Sequence, residues 1–243
     1  MGGGSLIMRL RLRPRIRPRG LAVPVLLAAL GGCAGVGLPP PVFVDPDASP
    51  ERLLRMDDSA PAERQAPRAD PFALSPQTRS WIRDRVGADG ASGRRLNELA
   101  ALFGPDGPLQ LDYDLVASQG AEATLEAGRG NCLSFTILFV ALARELGLDA
   151  RIREVPVART WSRVEETVVS DRHVIASGRT PRGFWEVDFG RLTRPSGEPR
   201  ESLPDRVVAA MLESNRGAAA LSRGESAEAL EPLRRSARMA PEL

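Results

Sequence analysis

The sequence is poor in the side chains that most often carry catalysis or bind metals. Its 243 residues contain no lysine, one histidine and two cysteines. One histidine and so few thiols cannot supply the ligands that zinc sites usually need, so we predict no metal and no cofactor. Every basic residue is arginine, which we attribute to genome composition and not to function.

The first 32 residues have the pattern of a secretory signal. The stretch MRLRLRPRIRPRG carries six arginines and no acidic residue, and the apolar run LAVPVLLAALGG follows it. A run of about a dozen residues is too short to span a bilayer. We therefore predict a signal peptide over residues 1–32 that is removed from the mature protein.

The end of this segment, Leu30-Gly31-Gly32-Cys33, resembles a bacterial lipobox. In lipoproteins with this motif the signal is cut before the cysteine, which is then acylated, and several acyl chains anchor a protein stably. The resemblance implies a lipid on Cys33; the alternative is an ordinary cleaved signal that leaves Cys33 free. Residue Ala34 is not the aspartate that usually retains such proteins in the inner membrane, so the resemblance favours the outer membrane, facing the periplasm.

The charge of the mature chain argues against nucleic acid as a partner. The whole sequence has 33 basic and 31 acidic residues, a net charge of +2. Removing the six arginines of the signal leaves 27 basic residues against 31 acidic ones, a net charge of −4. The high isoelectric point therefore belongs to the targeting segment, and nothing in the mature chain indicates a nucleic-acid-binding surface.

Three further parts follow the signal. Residues 33–74 are rich in proline, aspartate and alanine, a composition typical of an extended tether. Residues 75–203 show helix signals and then strand signals without regular alternation, which predicts an α+β domain with an antiparallel sheet. Residues 204–243 are helical in character.

Helices dominate the first half of the α+β domain. Ser75-Pro76 leads into QTRSWIRDRVG, and RRLNELAALFG, LVASQGAEATLEAG and a helix from about Asn131 to Leu146 follow. The last helix is apolar nearly all round, which marks it as the central buried helix. Beyond Gly147, the runs ARIREVPV, EETVVSDRHVIAS and FWEVDF predict three strands, and residues 191–204 predict a loop.

The C-terminal segment resembles a tetratricopeptide repeat. Small and apolar residues fall at the spacings of that repeat: Gly217, Gly224, Ala229, Leu233 and Pro241. One unit of ~34 residues fits there, whereas about three repeats are normally needed to bury a continuous face. The segment therefore packs on the preceding domain, borrows a partner or belongs to a longer array.

The position of Cys132 in GRGNCLSFTILFVALARELGL makes it a candidate nucleophile. It lies at the start of the central helix, where unpaired backbone N–H groups and the helix dipole favour a thiolate, the reactive form of cysteine. The flanking Gly128 and Gly130 permit tight turns and close approach of a substrate. The alternative is that Cys132 is a small buried hydrophobic residue.

A cysteine nucleophile usually needs a base, and the chain offers only His173, in the strand-like run RHVIAS. A carboxylate that holds the other ring nitrogen orients such a histidine. Asp188, in FWEVDFG on the next predicted strand, fits that role because adjacent antiparallel strands bring side chains together. Asp171 is a second candidate for the orienting carboxylate and ranks below Asp188.

The stretch GRGNCLSFTILFVALARELGLDARI resembles the core of the transglutaminase-like superfamily. In that superfamily Gly-x-Cys opens a helix that ends in Ala-Arg-x-Leu-Gly. A histidine followed by apolar residues comes next, as in RHVIA, and then an aspartate in a W-x-V-D-like strand, as in FWEVDFG. The resemblance covers about residues 117–190. It implies a papain-like site with Cys132 as nucleophile, His173 as base and Asp188 as orienting residue.

The same resemblance implies attack of the thiolate on an amide or ester carbonyl to give a thioester. If water attacks the thioester, the protein is a peptidase or amidase. If a second amine attacks it, the protein is a cross-linking acyltransferase. Analogy with small bacterial members favours hydrolysis. The oxyanion hole needs the Cys132 N–H and a second donor, for which Tyr113 and Gln119 are the candidates.

Two rival functions need no chemistry. The transglutaminase-like cleft and the helical repeat could serve a non-catalytic envelope scaffold that binds proteins, or the chain could be a purely structural lipoprotein. An intact set of Cys132, His173 and Asp188 favours the enzyme over both. We therefore expect a protein or peptide substrate, the membrane through Cys33, and a protein bound by the repeat as partners.

Overall fold

The computed structural model describes residues 6–9, 70–87, 90–155, 161–164, 167–170, 173–190 and 202–243. All of them belong to one unit of the chain, made of Met1–Pro14 and Arg68–Leu243. The predicted signal apart from residues 6–9, the predicted lipidation residue Cys33 and the tether up to residue 69 lie outside these ranges, as does Asp171.

Two helices open the α+β domain where the sequence predicts them. Helix α1 spans Pro76–Val86, and the Ser75 hydroxyl caps it by accepting a hydrogen bond from the Thr78 N–H at 3.1 Å. Proline at the first helical position has no N–H to satisfy, so the helix begins there at little cost. Helix α2 spans Ser92–Leu102 and buries Leu96 and Leu99.

The third predicted helix is shorter than its sequence pattern indicates. Helix α3 spans only Ala121–Ala127 and ends at Gly128, whose φ of 62° is left-handed. Residues 115–119, which the pattern placed in this helix, form a loop that we call the site loop. The physical reason is that side chains from the next helix bind the backbone of this segment and compete with helical hydrogen bonds.

Helix α4, Cys132–Glu145, is the central buried helix that the sequence predicts. Every residue from Leu133 to Ala143 is buried. Helices α1, α2 and α3 and two strands of the sheet pack around it. An apolar surface on all sides is what a helix needs when neighbours cover it all round.

The main sheet carries three antiparallel strands, one from each predicted run. The run EETVVSDRHVIAS, predicted as one strand, forms two: residues 173–180 join the main sheet, and residues 167–170 pair with residues 161–164 in a separate sheet. Strand β4 pairs with β7, and β7 with β8; residues 6–9 form a further strand, β1, which runs parallel to β8. Two small two-stranded sheets lie apart from it, β2 with β3 in parallel and β5 with β6 antiparallel. The strand bounds are β1 Leu6–Arg9, β2 Asp112–Tyr113, β3 Arg129–Gly130, β4 Arg151–Val155, β5 Trp161–Val164, β6 Thr167–Ser170, β7 His173–Thr180 and β8 Gly183–Asp188.

Aromatic packing fixes the end of β8 against the central helix. The rings of Phe103, Phe139 and Phe189 lie with centroids 5.3 to 5.8 Å apart, in tilted arrangements. Such ring pairs contribute about 0.5–1.5 kcal/mol each beyond the area they bury. Because Phe189 directly follows the last residue of β8, this packing also fixes the position of Asp188.

The C-terminal segment forms a helical hairpin that packs on the α+β domain. Helix α5 spans Asp205–Ser222 and helix α6 spans Ser226–Met239. Helix α5 places Val208 and Leu212 in the same apolar core as α4. In the last turn of α4, the Arg144 guanidinium binds the carboxylate of Asp205, the first residue of α5, through two hydrogen bonds of 2.7 and 2.9 Å.

Gly217 lets the two helices of the hairpin approach closely. A Cβ atom at this position would lie 2.5 Å from Leu233 Cγ.

Within the ranges that the structure describes, no helix has both the length and the apolar character needed to cross a membrane.

Candidate active site

Cys132 is the first residue of α4 and its side chain is partly exposed. Asn131 caps the helix, because its Oδ1 accepts a hydrogen bond from the Ser134 N–H at 3.0 Å. The Cys132 N–H belongs to the first turn, where a helix provides no carbonyl partner. This end of α4 therefore offers an N–H donor and the positive end of the helix dipole beside the thiol.

The site loop is bound to the start of α4 by five hydrogen bonds. Two of them run from Asn131 Nδ2 to the Leu115 carbonyl at 3.3 Å and from Ser134 Oγ to the Ala117 carbonyl at 3.1 Å. The Asn131 N–H donates to the Ala117 carbonyl at 3.0 Å, and Asn131 Nδ2 donates to Ser118 Oγ at 2.6 Å. The Gln119 N–H donates to Ser134 Oγ at 2.9 Å. Residues 117–119 are thereby held next to the nucleophile. The roles of Ser118 and Ser134 are not visible in the sequence, because their partners lie 13 and 15 residues away along the chain.

The two candidates for the second oxyanion donor both border this helix end. Tyr113 lies on β2, opposite Gly130 on β3, and its ring packs edge-on against Phe135 with centroids 6.2 Å apart. Gln119 is the last residue of the site loop. Gly130 lets strand β3 lie close to the first turn of α4, since a Cβ atom at position 130 would lie 2.7 Å from Ser134 Cβ.

His173 and Asp188 form a pair on neighbouring strands, with His173 buried and Asp188 partly buried. His173 Nε2 lies 2.8 Å from Asp188 Oδ1, and the side chains are 8% and 13% exposed. In the β7–β8 register Ala176 lies opposite Val187, so the next position, Asp188, lies opposite Ile175. His173 is two residues from Ile175, so its side chain lies on the same face of the sheet as Asp188. The antiparallel register is thus the feature that brings base and carboxylate together.

Gly190 packs against both His173 and Asp188, a role that was not predicted from the sequence. Its N–H donates to Asp188 Oδ1 at 2.7 Å. A Cβ atom at position 190 would lie 2.5 Å from His173 Cε1 and 2.9 Å from Asp188 Oδ1. A glycine two residues after the strand aspartate is the sequence signal that could have revealed this contact.

The His173 ring also meets Cys132, and the two contacts together set its charge. Burial lowers the pKa of His173, but hydrogen bonds with Asp188 and Cys132 and the negative charges of both groups outweigh burial and raise it to about 9. Since Nε2 faces Asp188, Nδ1 is the ring nitrogen left for the thiol. The structure therefore brings the three predicted site residues into one chain of contacts, Asp188–His173–Cys132.

This arrangement suits acyl transfer. A protonated His173 between two negative groups stabilises the thiolate, and the same proton can pass to a leaving amine.

Among the residues that the structure describes, no group of three or more histidine, cysteine, aspartate or glutamate side chains is placed to hold a metal ion.

Comparison with protein-family models matches residues 108–189 to the transglutaminase-like superfamily core. The matched region contains Cys132, His173 and Asp188. Comparison with the curated proteins and with the solved structures found no match. Residues 108–189 thus form a domain similar to this superfamily, whose members are commonly cysteine enzymes. The expected α+β fold with a cysteine-bearing central helix and an antiparallel sheet is confirmed.

Proposed function

We propose that this protein is a cysteine enzyme that cleaves amide bonds through a thioester on Cys132. The observation that carries the proposal is the contact chain from Asp188 through His173 to a partly exposed cysteine at a helix N-terminus. A structural cysteine needs neither a buried histidine nor a carboxylate behind it. A nucleophile needs both, since one accepts its proton and the other orients the base.

The first half of the reaction forms the thioester. The Cys132 thiolate attacks the carbonyl carbon, and the carbonyl oxygen becomes an oxyanion bound by the Cys132 N–H and a second donor. When the intermediate collapses, the carbon–nitrogen bond breaks and protonated His173 gives its proton to the departing amine. The products are the free amine, the thioester and a neutral imidazole.

The second half releases the acyl group. Neutral His173 takes a proton from water as the water oxygen attacks the thioester carbon, and the carbon–sulfur bond breaks to restore the thiolate–imidazolium pair. If a second amine attacks in place of water, the protein transfers the acyl group. We favour water, and therefore a peptidase or amidase, by analogy with small bacterial members of the transglutaminase-like superfamily.

We further propose that the enzyme works on proteins or peptides at the bacterial outer membrane. The support is the sequence of the first 33 residues, which combines a signal pattern with the lipobox-like end at Cys33. The hairpin α5–α6 would be a tetratricopeptide-like repeat that binds a protein partner. Its two helices and its tight Gly217–Leu233 contact suit that repeat.

Alkylation of the full chain by iodoacetamide is the first test. Peptide mapping by mass spectrometry assigns the rate to Cys132 separately from Cys33. We expect rapid alkylation of Cys132 at neutral pH and a much slower rate in the His173→Ala variant, because the imidazolium stabilises the thiolate. A Cys132 that reacts like an ordinary thiol, with no change in the variant, would contradict the proposal.

The second test identifies the acyl acceptor. N-acetyl-dipeptide p-nitroanilides are incubated with the full chain, with and without an added primary amine. The acyl products are then identified by their masses in mass spectrometry. The free acid as main product in both cases supports hydrolysis. The amine adduct as main product would show an acyltransferase.

A non-catalytic scaffold is the second candidate, and one observation favours it. Leu221 and Leu230 on the hairpin are 40% and 48% exposed, an apolar surface available to a partner. In that case the Cys132→Ala variant would keep the biological role of the protein in cells. In the enzyme reading the same variant loses it.

A further inference from the structure

The hairpin reaches the candidate active site through one arginine. Arg216, in the middle of α5, donates from Nε to the Ser118 carbonyl at 3.4 Å, across 98 residues of chain. This distance is at the long end for a hydrogen bond, so the contact depends on how firmly the guanidinium is held.

A buried carboxylate holds that guanidinium. The Glu213 side chain is only 5% exposed, and its Oε1 lies 2.5 Å from Arg216 Nη1. Its Oε2 accepts hydrogen bonds from Arg235 on α6, at 2.7 Å from Nη2 and 2.9 Å from Nε. A buried carboxylate is stable only when it is paired, so Glu213 requires its cations and orients them. Arginine suits this position because its planar group can bind a carboxylate and a carbonyl at the same time.

Ser118 is the point where this network meets the site. Its carbonyl accepts from Arg216, and its Oγ accepts from Asn131 Nδ2 at 2.6 Å. Asn131 is the cap of α4 and the residue before Cys132. The contacts therefore run from Arg235 through Glu213, Arg216, Ser118 and Asn131 to the nucleophile.

We propose that Arg216 is a positioning residue that fixes the site loop against the N-terminus of α4, so that the hairpin is a working part of the active site. The proposal rests on the proposed acyl-transfer function. The loop and the strand before it carry both candidates for the second oxyanion donor, and a donor displaced by about 1 Å costs up to roughly a hundredfold in rate. A partner that binds the hairpin would then act on the site through the same contacts.

Two reactions of Cys132 separate positioning from general damage. Alkylation by iodoacetamide needs the thiolate and forms no oxyanion. Acylation by p-nitrophenyl acetate needs the thiolate and an oxyanion hole. Loss of loop positioning should lower the acylation rate and leave the alkylation rate nearly unchanged, whereas damage to α4 or to His173 would lower both.

The test compares the Arg216→Lys and Arg216→Ala variants of the full chain. Lysine keeps a positive charge for Glu213, but a single ammonium group cannot replace the two-sided contact. Arg238→Ala is the matched control, since Arg238 also lies on the hairpin and its ion pair with Glu231 is exposed. We expect acylation to fall about tenfold or more in both Arg216 variants, with alkylation within twofold and the control unchanged.

Hydrogen exchange of the backbone amides of residues 115–119 gives a reading that does not depend on catalysis. We expect faster exchange in both Arg216 variants and no change in Arg238→Ala. Unchanged exchange in the Arg216 variants would overturn the positioning role even if the unsubstituted protein fails to acylate. Equal losses of acylation and alkylation, or acylation of Arg216→Lys within twofold of the unsubstituted protein, would overturn it as well. Failure of the unsubstituted protein to acylate would count against the proposed function alone.

Discussion

The two halves of the candidate site are built in different ways. On the nucleophile side, five hydrogen bonds join the site loop to the start of α4, and Arg216 holds the loop from outside. On the base side, one short contact joins His173 to Asp188, and the glycine at position 190 closes over it.

The difference lies in how each half responds to the loss of one group. Neutral hydrogen bonds contribute about 1 kcal/mol each, so the nucleophile side loses a fraction of its support when one bond is removed. The base side depends on the charged contact between His173 and Asp188, whose side chains are largely buried, and such contacts are strong there. We therefore expect the base side to be more sensitive to a single substitution than the nucleophile side.

The largest effect is expected for Asp188→Asn. The amide keeps the shape of the carboxylate but removes its charge and can present the wrong group to His173 Nε2, so amide cleavage should fall about 10³–10⁴-fold. The measurement is kcat on the p-nitroanilides. Activity within tenfold of the unsubstituted protein would mean that another carboxylate, such as Asp171, orients the base.

The second oxyanion donor can be identified by a pair of conservative changes. Tyr113→Phe keeps the ring packed on Phe135, and Gln119→Ala keeps the backbone bond to Ser134. The variant that removes the true donor should lower kcat about 10²–10³-fold, and the other should stay near the unsubstituted value. If neither change has an effect, the second donor is neither of these two side chains.

Gly190→Ala should damage the base side without unfolding the protein. The added methyl group would lie 2.5 Å from His173 Cε1, so the imidazole must shift, and we expect kcat/KM to fall about tenfold to a hundredfold. Gly93→Ala is the matched control, because its nearest neighbour would be Arg182 Cδ at 4.0 Å. Thermal unfolding of both variants checks the fold, and an unimpaired Gly190→Ala enzyme would show that the pair tolerates displacement.

The smallest effect is the response to pH. The pKa of His173 is raised to about 9 from 6.5, so the proton that the leaving amine needs is retained through neutral pH. Amide cleavage should therefore fall to about half near pH 9 and continue to fall above it. The raised pKa also means that the charged ring stabilises the fold, fully below pH 6.5 and less as the pH rises through 9. A cleavage rate that falls with a midpoint near pH 6.5 would contradict the raised pKa of His173, and with it the contacts with Asp188 and Cys132 that cause it.

Local sequence signals were sufficient for the helices that position the nucleophile. Ser75-Pro76, the apolar run after Asn131 and the stop at Gly128 each act through neighbours in the same helix, so their effects can be predicted without the fold. The signal failed for residues 115–119, where a helical pattern gave way to a loop. Asn131 and Ser134 bind that loop from outside, and no pattern within the loop reports it.

By itself, the sequence determined the chemistry available to this protein: one histidine, one cysteine at a helix start, and an aspartate on a predicted strand. These follow from residue identity and from short-range periodicity. The tertiary structure alone decided that Asp188 reaches His173, that Gly190 covers the pair, and that Arg216 reaches Ser118. Strand register and helix packing set these contacts, and both depend on residues far apart in the chain whose pairing becomes defined only when the core closes.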